Sequence, residues 1–328
     1  MSTFNQKRRQ QLLNEQNYIR KVGFLTDAME DLEAALFIPE QDDEHRVRLM
    51  GQVADWSFER FLIRHTGGES FLELRDEVEA IIVAYERYSQ YRRKFENDPQ
   101  FPPFYFAELL HHEQLMQLIG LCYLLHRRDL LPWIAAMEDR SYESTDTLYE
   151  DLLAYEMQNR YDVDQWYHDK SYRHIINALY RNTSEESLAD LQSYLTSWYP
   201  SMESVPWHGS HTRMTAEGGD YFGYWAFEAG AVAYLLDLDD ATIDHIVYPK
   251  HAVEFARDFE KNRDEYVQRG RCEALLQCPR AGYWYAPEKQ NSRRRFTDGE
   301  VMPDFPGSSW GATIWYWDQG NPPIFEAA

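Results

Sequence analysis

The sequence predicts an all-α protein, with a multi-helix body followed by a small irregular or β-containing C-terminal appendage. Apolar residues recur at helical spacing through about residue 268, and capping-box pairs stand where several of these periodic segments begin. After Arg271 the periodicity ends, and proline, glycine and tryptophan become frequent. We expect an N-terminal helical domain over residues 1–140, a second helical domain over 141–270 and an aromatic, Gly/Pro-rich tail over 271–328.

Three long helices are predicted in the N-terminal part of the chain. The first covers residues 42–66, where leucine, valine, tryptophan and isoleucine recur at helical spacing. The second begins at the capping box formed by Ser70 and Glu73, whose side chains can satisfy free backbone donors in the first turn. The third covers residues 103–126 and has a broad apolar face.

Four shorter helices are predicted next, over residues 130–138, 148–158, 171–181 and 184–199. Two of them begin at further capping boxes, Thr147 with Glu150 and Thr183 with Glu186. Because each box satisfies backbone groups locally, the repeated boxes support a helical body independently of the apolar periodicity.

After a loop over residues 200–220, the segment from Tyr221 to Leu236 is apolar almost all round, which is typical of a buried helix. Gly223 and Gly230 in this segment are expected to permit close helix approach. Glu228 lies within it, and a buried carboxylate must be paired, hydrogen-bonded or protonated. We favour a structural anchor for Glu228 over a general base.

The end of the chain is expected to depart from helical structure. Pro249 opens an amphipathic helix, and Gly270 ends it. In the tail, the alternation from Ala312 to Trp317 predicts a short strand.

The charge balance fits a basic partner, although charge alone favours the alternative of an ordinary soluble acidic protein. There are 33 Lys and Arg residues against 55 Asp and Glu residues, a net charge of −22. Such a surface repels phosphate backbones and anionic lipids, so we expect no direct binding to nucleic acid or membrane. Nucleases are often cationic, and a nuclease would suit this surface.

One acidic segment, from Glu138 to Asp164, is a candidate docking face for a cationic partner. The alternative is a solvated helix face, where most charge runs lie. The candidate partner-binding residues are Asp146, Glu150, Asp151 and Glu156. Charge reversal at Glu150 with Asp151 is expected to weaken binding and to leave the fold intact.

The cysteines and the N-terminus exclude other classes of protein. Cys122, Cys272 and Cys278 show no Cys-x-x-Cys spacing, so neither a disulfide framework nor a zinc site is indicated. Residues 1–20 are polar and charged, unlike a signal peptide, and no apolar run approaches the length of a membrane span. We therefore expect a cytoplasmic protein.

Candidate catalytic and metal sites are weak. Glu108-x-x-His111, followed by His112, has no second Glu-x-x-His as a di-iron bundle requires. His208-x-x-His211 lacks an identifiable third ligand. Nucleophile-elbow, dinucleotide-binding and P-loop motifs are missing from the sequence. We expect no enzyme activity, catalytic residue, metal or cofactor; a metal-dependent hydrolase using His208, His211 and Glu228 is the alternative.

Two stretches of sequence resemble a known family. The run from Tyr221 to Ala229, followed by Leu238-Asp239-Asp240 and Tyr248-Pro249-Lys250, looks like the C-terminal signature of the polymorphic nuclease immunity (PoNi) family. The run from Asp146 to Leu153 resembles the same family's N-terminal helical domain less sharply. The signature residues, to which we assign a structural role, are Tyr221, Gly223, Tyr224, Trp225, Glu228, Asp239, Asp240, Tyr248 and Pro249.

The resemblance implies a non-enzymatic immunity protein, or antitoxin, that binds and neutralises a cognate nuclease toxin encoded by a neighbouring gene. It also implies a role in bacterial competition through a type VI secretion system. Blockage of the toxin's active site and disturbance of its assembly both remain open. A helical adaptor that acts without any toxin is a further alternative.

Overall fold

The computed structural model describes residues 3–36, 42–215, 218–262, 270–287, 289, 292–305 and 313–318. The chain forms two compact units, residues 1–254 and 255–328, which we call the body and the tail unit. The body is helical and the tail unit contains a small sheet, so the predicted fold class is confirmed. The domain boundaries expected at residues 140 and 270 stay predictions.

The described part of the body contains ten α-helices and the beginning of an eleventh. They are α1 (Thr3–Lys7), α2 (Glu15–Leu36), α3 (Asp43–Gly67), α4 (Phe71–Glu96), α5 (Leu109–Leu124), α6 (Leu131–Tyr142), α7 (Thr147–Ala154), α8 (Asp169–Leu179), α9 (Ser184–Ser201), α10 (Phe227–Leu235) and α11 (Lys250–Lys261). Short 3₁₀ turns lie at Arg128–Leu130 and Ser210–Arg213.

Local capping chemistry sets several helix starts where the sequence predicted them. The Ser70 hydroxyl accepts a hydrogen bond from the Leu72 N–H at 3.3 Å at the start of α4. The Thr183 hydroxyl accepts one from the Glu186 N–H at 3.2 Å at the start of α9. These side chains satisfy backbone donors that have no partner within the first turn of a helix.

The predicted cap of α7 was wrong by one residue. Asp146 caps this helix, and its carboxylate accepts a hydrogen bond from the Tyr149 N–H at 2.9 Å. Thr147 is already helical, and its hydroxyl donates to the Val163 carbonyl at 2.7 Å. The charged Asp146 carboxylate is also a strong N-cap acceptor.

Two predicted helices begin later than expected. The helix predicted from residue 103 begins at Leu109, because the segment before it turns Phe106 into the interior, where its ring stacks on Tyr142 with centroids 3.9 Å apart. The helix predicted from Tyr221 begins at Phe227. Helix α2 was not predicted, since few of its side chains are buried.

The centre of the body is the crossing of α5 and α10. A side chain at Gly120 of α5 would collide with the backbone of Phe227 and Glu228 at the start of α10. One at Gly230 would approach Pro249 and Leu124 too closely. The expectation that Gly230 permits close helix approach is therefore confirmed.

The tail unit contains a four-stranded antiparallel sheet in the order β1-β4-β2-β3. Its strands are β1 (Arg271–Glu273), β2 (Gly282–Tyr285), β3 (Arg294–Phe296) and β4 (Ile314–Trp317). Trp284 of β2 faces Trp317 of β4, and both side chains are buried. The predicted strand is thus present as β4, although Ala312 lies outside the described residues. Residues 263–269, which precede Gly270, also lie outside them, so the predicted helix end at Gly270 stays a prediction.

Candidate functional site

The segment 221–226 lies in extended backbone and is held by Gln10 from the N-terminal end of the chain. The Gln10 amide donates to the carbonyls of Tyr224 at 2.5 Å and Ile246 at 2.8 Å. Its carbonyl accepts from the Tyr221 hydroxyl and from the Tyr224 N–H, the latter at 3.0 Å. Gln10 is buried, and its side chain supplies the backbone of this segment with hydrogen bonds that a helix would otherwise have provided.

Gly223 fixes the conformation that prevents a helix here. Its φ is +119°, a region that side chains other than hydrogen rarely allow. A Cβ at this position would also collide with the Thr66 hydroxyl and the Trp225 indole. That hydroxyl donates to the Phe222 carbonyl at 2.7 Å and accepts from the Trp225 indole N–H at 2.8 Å. Gly223 therefore permits a tight turn before the helix.

Glu228 lies in the first turn of α10 and is buried. One of its oxygens accepts a hydrogen bond from the Tyr194 hydroxyl at 2.6 Å. Burial raises the pKa of Glu228 to about 7, although the bond from Tyr194 opposes that rise. Burial and the nearby Glu228 carboxyl raise the pKa of Glu113 well above its usual range. The structural assignment of Glu228 stays a prediction.

The remaining signature residues lie in the loop before α11. The Tyr248 hydroxyl donates to the Asp240 carboxylate, and both side chains are buried. Asp239 is exposed, and its carboxylate accepts from the Ala241 N–H at 3.2 Å. Pro249 is buried at the start of α11. The Asp-Asp and Tyr-Pro pairs thus meet within one loop.

The predicted docking face is partly interior. Asp146 is fully buried and accepts hydrogen bonds from the Tyr167 N–H at 2.9 Å and from His112 at 3.2 Å. Burial alone would raise the pKa of Asp146, but the charge and hydrogen bond of His112 and the backbone donors bring it below its usual range. This carboxylate anchors α7 against α5.

Glu150 is also fully buried and lies at the centre of a hydrogen-bond network within the segment Glu138–Asp164. Its carboxylate accepts from Arg160 at 2.7 Å and from the Ser144 N–H at 2.7 Å. The same Arg160 binds Asp139 through two hydrogen bonds of 2.7 and 2.9 Å. The expectation that reversal at Glu150 leaves the fold intact is therefore wrong, because it would place two cations together in the interior.

Asp151 and Glu156 have more access to water. The Asp151 carboxylate accepts from the Tyr180 hydroxyl at 3.0 Å, and Glu156 forms an ion pair with Arg128 at 3.7 Å. Asp146 and Glu150 do not lie on a docking face, and this corrects their proposed surface position. Binding of a toxin by Asp151 and Glu156 stays a prediction.

The histidines considered as metal ligands each have another contact. His208 stacks on Tyr199 with ring centroids 4.2 Å apart, and His211 lies 2.8 Å from the Tyr224 hydroxyl. The His111 ring accepts the Tyr105 N–H at 3.2 Å. Within the described ranges, no three His, Cys, Asp or Glu side chains are grouped so that they could hold a metal ion.

The body also contains an open cleft of about 270 Å³ between α3 and α5, which we call the α3/α5 cleft. Its walls include the indoles of Trp198, Trp207 and Trp225, the last a signature residue. Trp198 and Trp207 stack, with ring centroids 5.4 Å apart. The signature segment 221–226 therefore contributes to the wall of this cleft, behind which the three tryptophans are nearly or fully buried.

Acidic side chains line the same cleft. Asp55 of α3 is exposed to water yet enclosed on several sides, and this burial raises the pKa of Asp55 to about 6. Glu113 of α5 lies deeper and is buried. Glu59 and Asp220 line the mouth, where Lys21 approaches them at 3.0 and 3.9 Å. The cleft is thus both aromatic and acidic.

Sequence reasoning missed both Gln10 and the cleft. Gln10 stands in a polar N-terminal stretch with no local pattern, and its partners lie more than 200 residues away. Asp55, Glu113 and Trp207 belong to three distant segments. The available signal was the polar positions His111 to Gln114 and Gln117 in the first half of a helix whose second half is apolar.

The comparisons with known proteins place the signature within a defined domain. Residues 144–251 match the family model described as PoNe immunity proteins (PoNi), C-terminal. The crystal structure of protein PA2201 from Pseudomonas aeruginosa has a similar fold, with a TM-score of 0.61 and 18% identity over 77% of this chain and 92% of that chain. No curated protein matches this sequence. Residues 144–251 of this chain are therefore similar to the C-terminal domain of the PoNi immunity proteins.

Proposed function

We propose that this protein binds and neutralises a cognate antibacterial nuclease toxin of a type VI secretion system, in the cytoplasm of the cell that makes both proteins. The observation that carries the proposal is the match of residues 144–251 to the PoNi C-terminal domain. A PoNi C-terminal domain implies an immunity protein for a polymorphic nuclease toxin. The nature of the toxin, its delivery by a type VI secretion system and its encoding by a neighbouring gene go beyond this domain match and are part of the proposal.

The charge of the chain supports a cationic partner. A net charge of −22 attracts a basic nuclease domain and repels nucleic acid. Among the described residues, no helix is both long enough and apolar enough to cross a bilayer. Inhibition would require only binding, and the buried bonds of Glu228 and the ring contact of His208 support a structural use of both side chains.

Co-expression tests this function. The nuclease domain encoded beside this gene would be expressed in a bacterial host with and without the immunity protein. We expect growth only when both are present, and a complex that co-purifies. A toxin that kills in both cases and fails to co-purify would contradict the proposal. Stoichiometric zinc, iron or manganese in protein purified without added metal would favour the hydrolase instead.

A further inference from the structure

We propose that the α3/α5 cleft receives one arginine side chain of the toxin, whose guanidinium donates to the carboxylate of Asp55 and to the side-chain oxygen of Gln117. This inference rests on the proposed function, because it names the group through which the partner is recognised. It concerns a different surface from the acidic segment Glu138–Asp164.

The size and walls of the cleft suit a single side chain. Its volume of about 270 Å³ is at the lower end of ligand pockets, below what most organic cofactors need. Three tryptophans contribute to its lining, each at most 8% exposed, so they form an apolar wall and not an open ring face. A guanidinium is planar and weakly hydrated, and it therefore tolerates an apolar wall better than an ammonium group does.

Among the polar atoms that line the cleft, two acceptors suit a guanidinium. Asp55 offers carboxylate oxygens, of which one also accepts from the Tyr85 hydroxyl at 3.0 Å. The side-chain oxygen of Gln117 is buried and has no hydrogen-bond partner within the described part of the chain. Gln117 is only 4% exposed and lines the cleft, while its nitrogen donates to Glu113. An unmet buried acceptor beside a carboxylate fits a ligand with several N–H donors.

The cations of the protein itself are held at the mouth of the cleft. Lys21 forms an ion pair with Glu59 at 3.0 Å. The Arg213 guanidinium donates to the carbonyls of His208 at 2.9 Å and Pro206 at 3.3 Å. Asp55 forms no ion pair with these cations and is exposed to water, so it is the carboxylate best placed for an incoming cation.

The first experiment uses small probes and the full chain, without toxin. N-acetyl-arginine amide, N-acetyl-lysine amide with a free side-chain amine, and N-acetyl-citrulline amide would be titrated and followed by calorimetry. We expect saturable millimolar binding of the arginine probe, at least about fivefold weaker binding of the lysine probe, and none of the neutral citrulline probe. Asp55→Asn should weaken arginine binding at least about fivefold. Equal binding of the lysine probe, or no arginine binding, would overturn the assignment.

The second experiment measures the dissociation constant of the toxin complex. Asp55→Asn and Gln117→Met each remove one acceptor at nearly constant volume. Glu185→Gln is the control, since Glu185 is exposed about 20 Å along α9 from Trp198, at 1.5 Å per residue. We expect a loss of about tenfold or more for each cleft variant and none for the control.

The outcomes of this second experiment separate the two proposals. Wild-type affinity in both cleft variants, with each folded by circular dichroism, would overturn the role of the cleft and leave the proposed function standing. Absence of toxin binding by the wild-type protein would instead contradict the proposed function. The arginine probe would then still decide whether the cleft binds guanidinium.

Discussion

Acidic side chains occupy two different settings in the body. In the segment Glu138–Asp164, where they are densest in the sequence, Asp146 and Glu150 are fully buried and hydrogen-bonded to neighbours within the protein. In the α3/α5 cleft they come from distant helices and face an open cavity. A high density of acidic residues in the sequence therefore does not mean that a partner can reach their charges.

The difference has a physical cause. A buried carboxyl must be paired, hydrogen-bonded or protonated, and for Glu150 the acidic segment supplies donors from Arg160 and from its own backbone N–H groups. A carboxylate in a cleft keeps some water, so its acceptor sites remain available to a partner. The first setting contributes to folding, and the second is suited to binding.

The largest expected effect tests whether the acidic segment is structural. Glu150→Ala should lower the free energy of unfolding by about 3–5 kcal/mol, because it removes one of the two carboxylates that hold Arg160 and leaves the Ser144 and Tyr161 N–H groups without this acceptor. Glu156→Ala, in the same segment but paired only at its surface with Arg128, should cost less than about 1 kcal/mol. Urea denaturation measures both. Equal stability of the two variants would remove the distinction between the two settings.

The second test concerns the segment 221–226, which contributes to the aromatic wall of the cleft. Gln10→Ala should lower the free energy of unfolding by about 2–4 kcal/mol, since the buried Tyr221 hydroxyl and Tyr224 N–H lose their partner. Gln11→Ala, at the exposed neighbouring position, should change it by less than about 0.5 kcal/mol. Thermal unfolding would compare them. A stable Gln10→Ala variant would show that the segment holds its conformation without this glutamine.

The helix starts, the segment 221–226 and the cleft show what the sequence could and could not predict. Helix starts at Ser70 and Thr183 were predicted, because a cap is a bond between residues two or three positions apart. The segment 221–226 was wrongly predicted to be helical, because its apolar composition does not reveal the turn at Gly223 or the distant Gln10. The cleft could not be predicted, since it exists only after α3 and α5 come together.

The third test uses the pH dependence of stability. A carboxyl whose pKa is raised in the folded protein binds its proton more tightly there than in the unfolded chain, so stability falls as pH rises between the two pKa values. For Glu228 that window runs from about 4.5 to about 7 and corresponds to a loss of about 3 kcal/mol at most. Glu228→Gln cannot ionise and should remove this part of the slope.

The measurement is denaturant unfolding of both proteins at several pH values from 4.5 to 8. Glu113→Gln provides a related comparison, because burial and the Glu228 carboxyl also raise the pKa of Glu113, and this variant should remove the separate contribution of Glu113 to the slope. If Glu228→Gln loses stability with rising pH as steeply as the wild type, the carboxyl is not the group that titrates, and its buried setting would need a different explanation.

The smallest expected effect returns to the accessible end of the acidic segment. Asp151→Asn combined with Glu156→Gln removes two charges, and if they only attract the toxin from a distance, association at low salt should slow about two- to fourfold with unchanged dissociation. Near 1 M salt, where the screening length falls to about 3 Å, the difference should vanish. Stopped-flow mixing with the toxin measures both rates. Faster dissociation of the double variant would instead mean that these two side chains contact the bound toxin, and that the segment contributes to binding alongside the cleft.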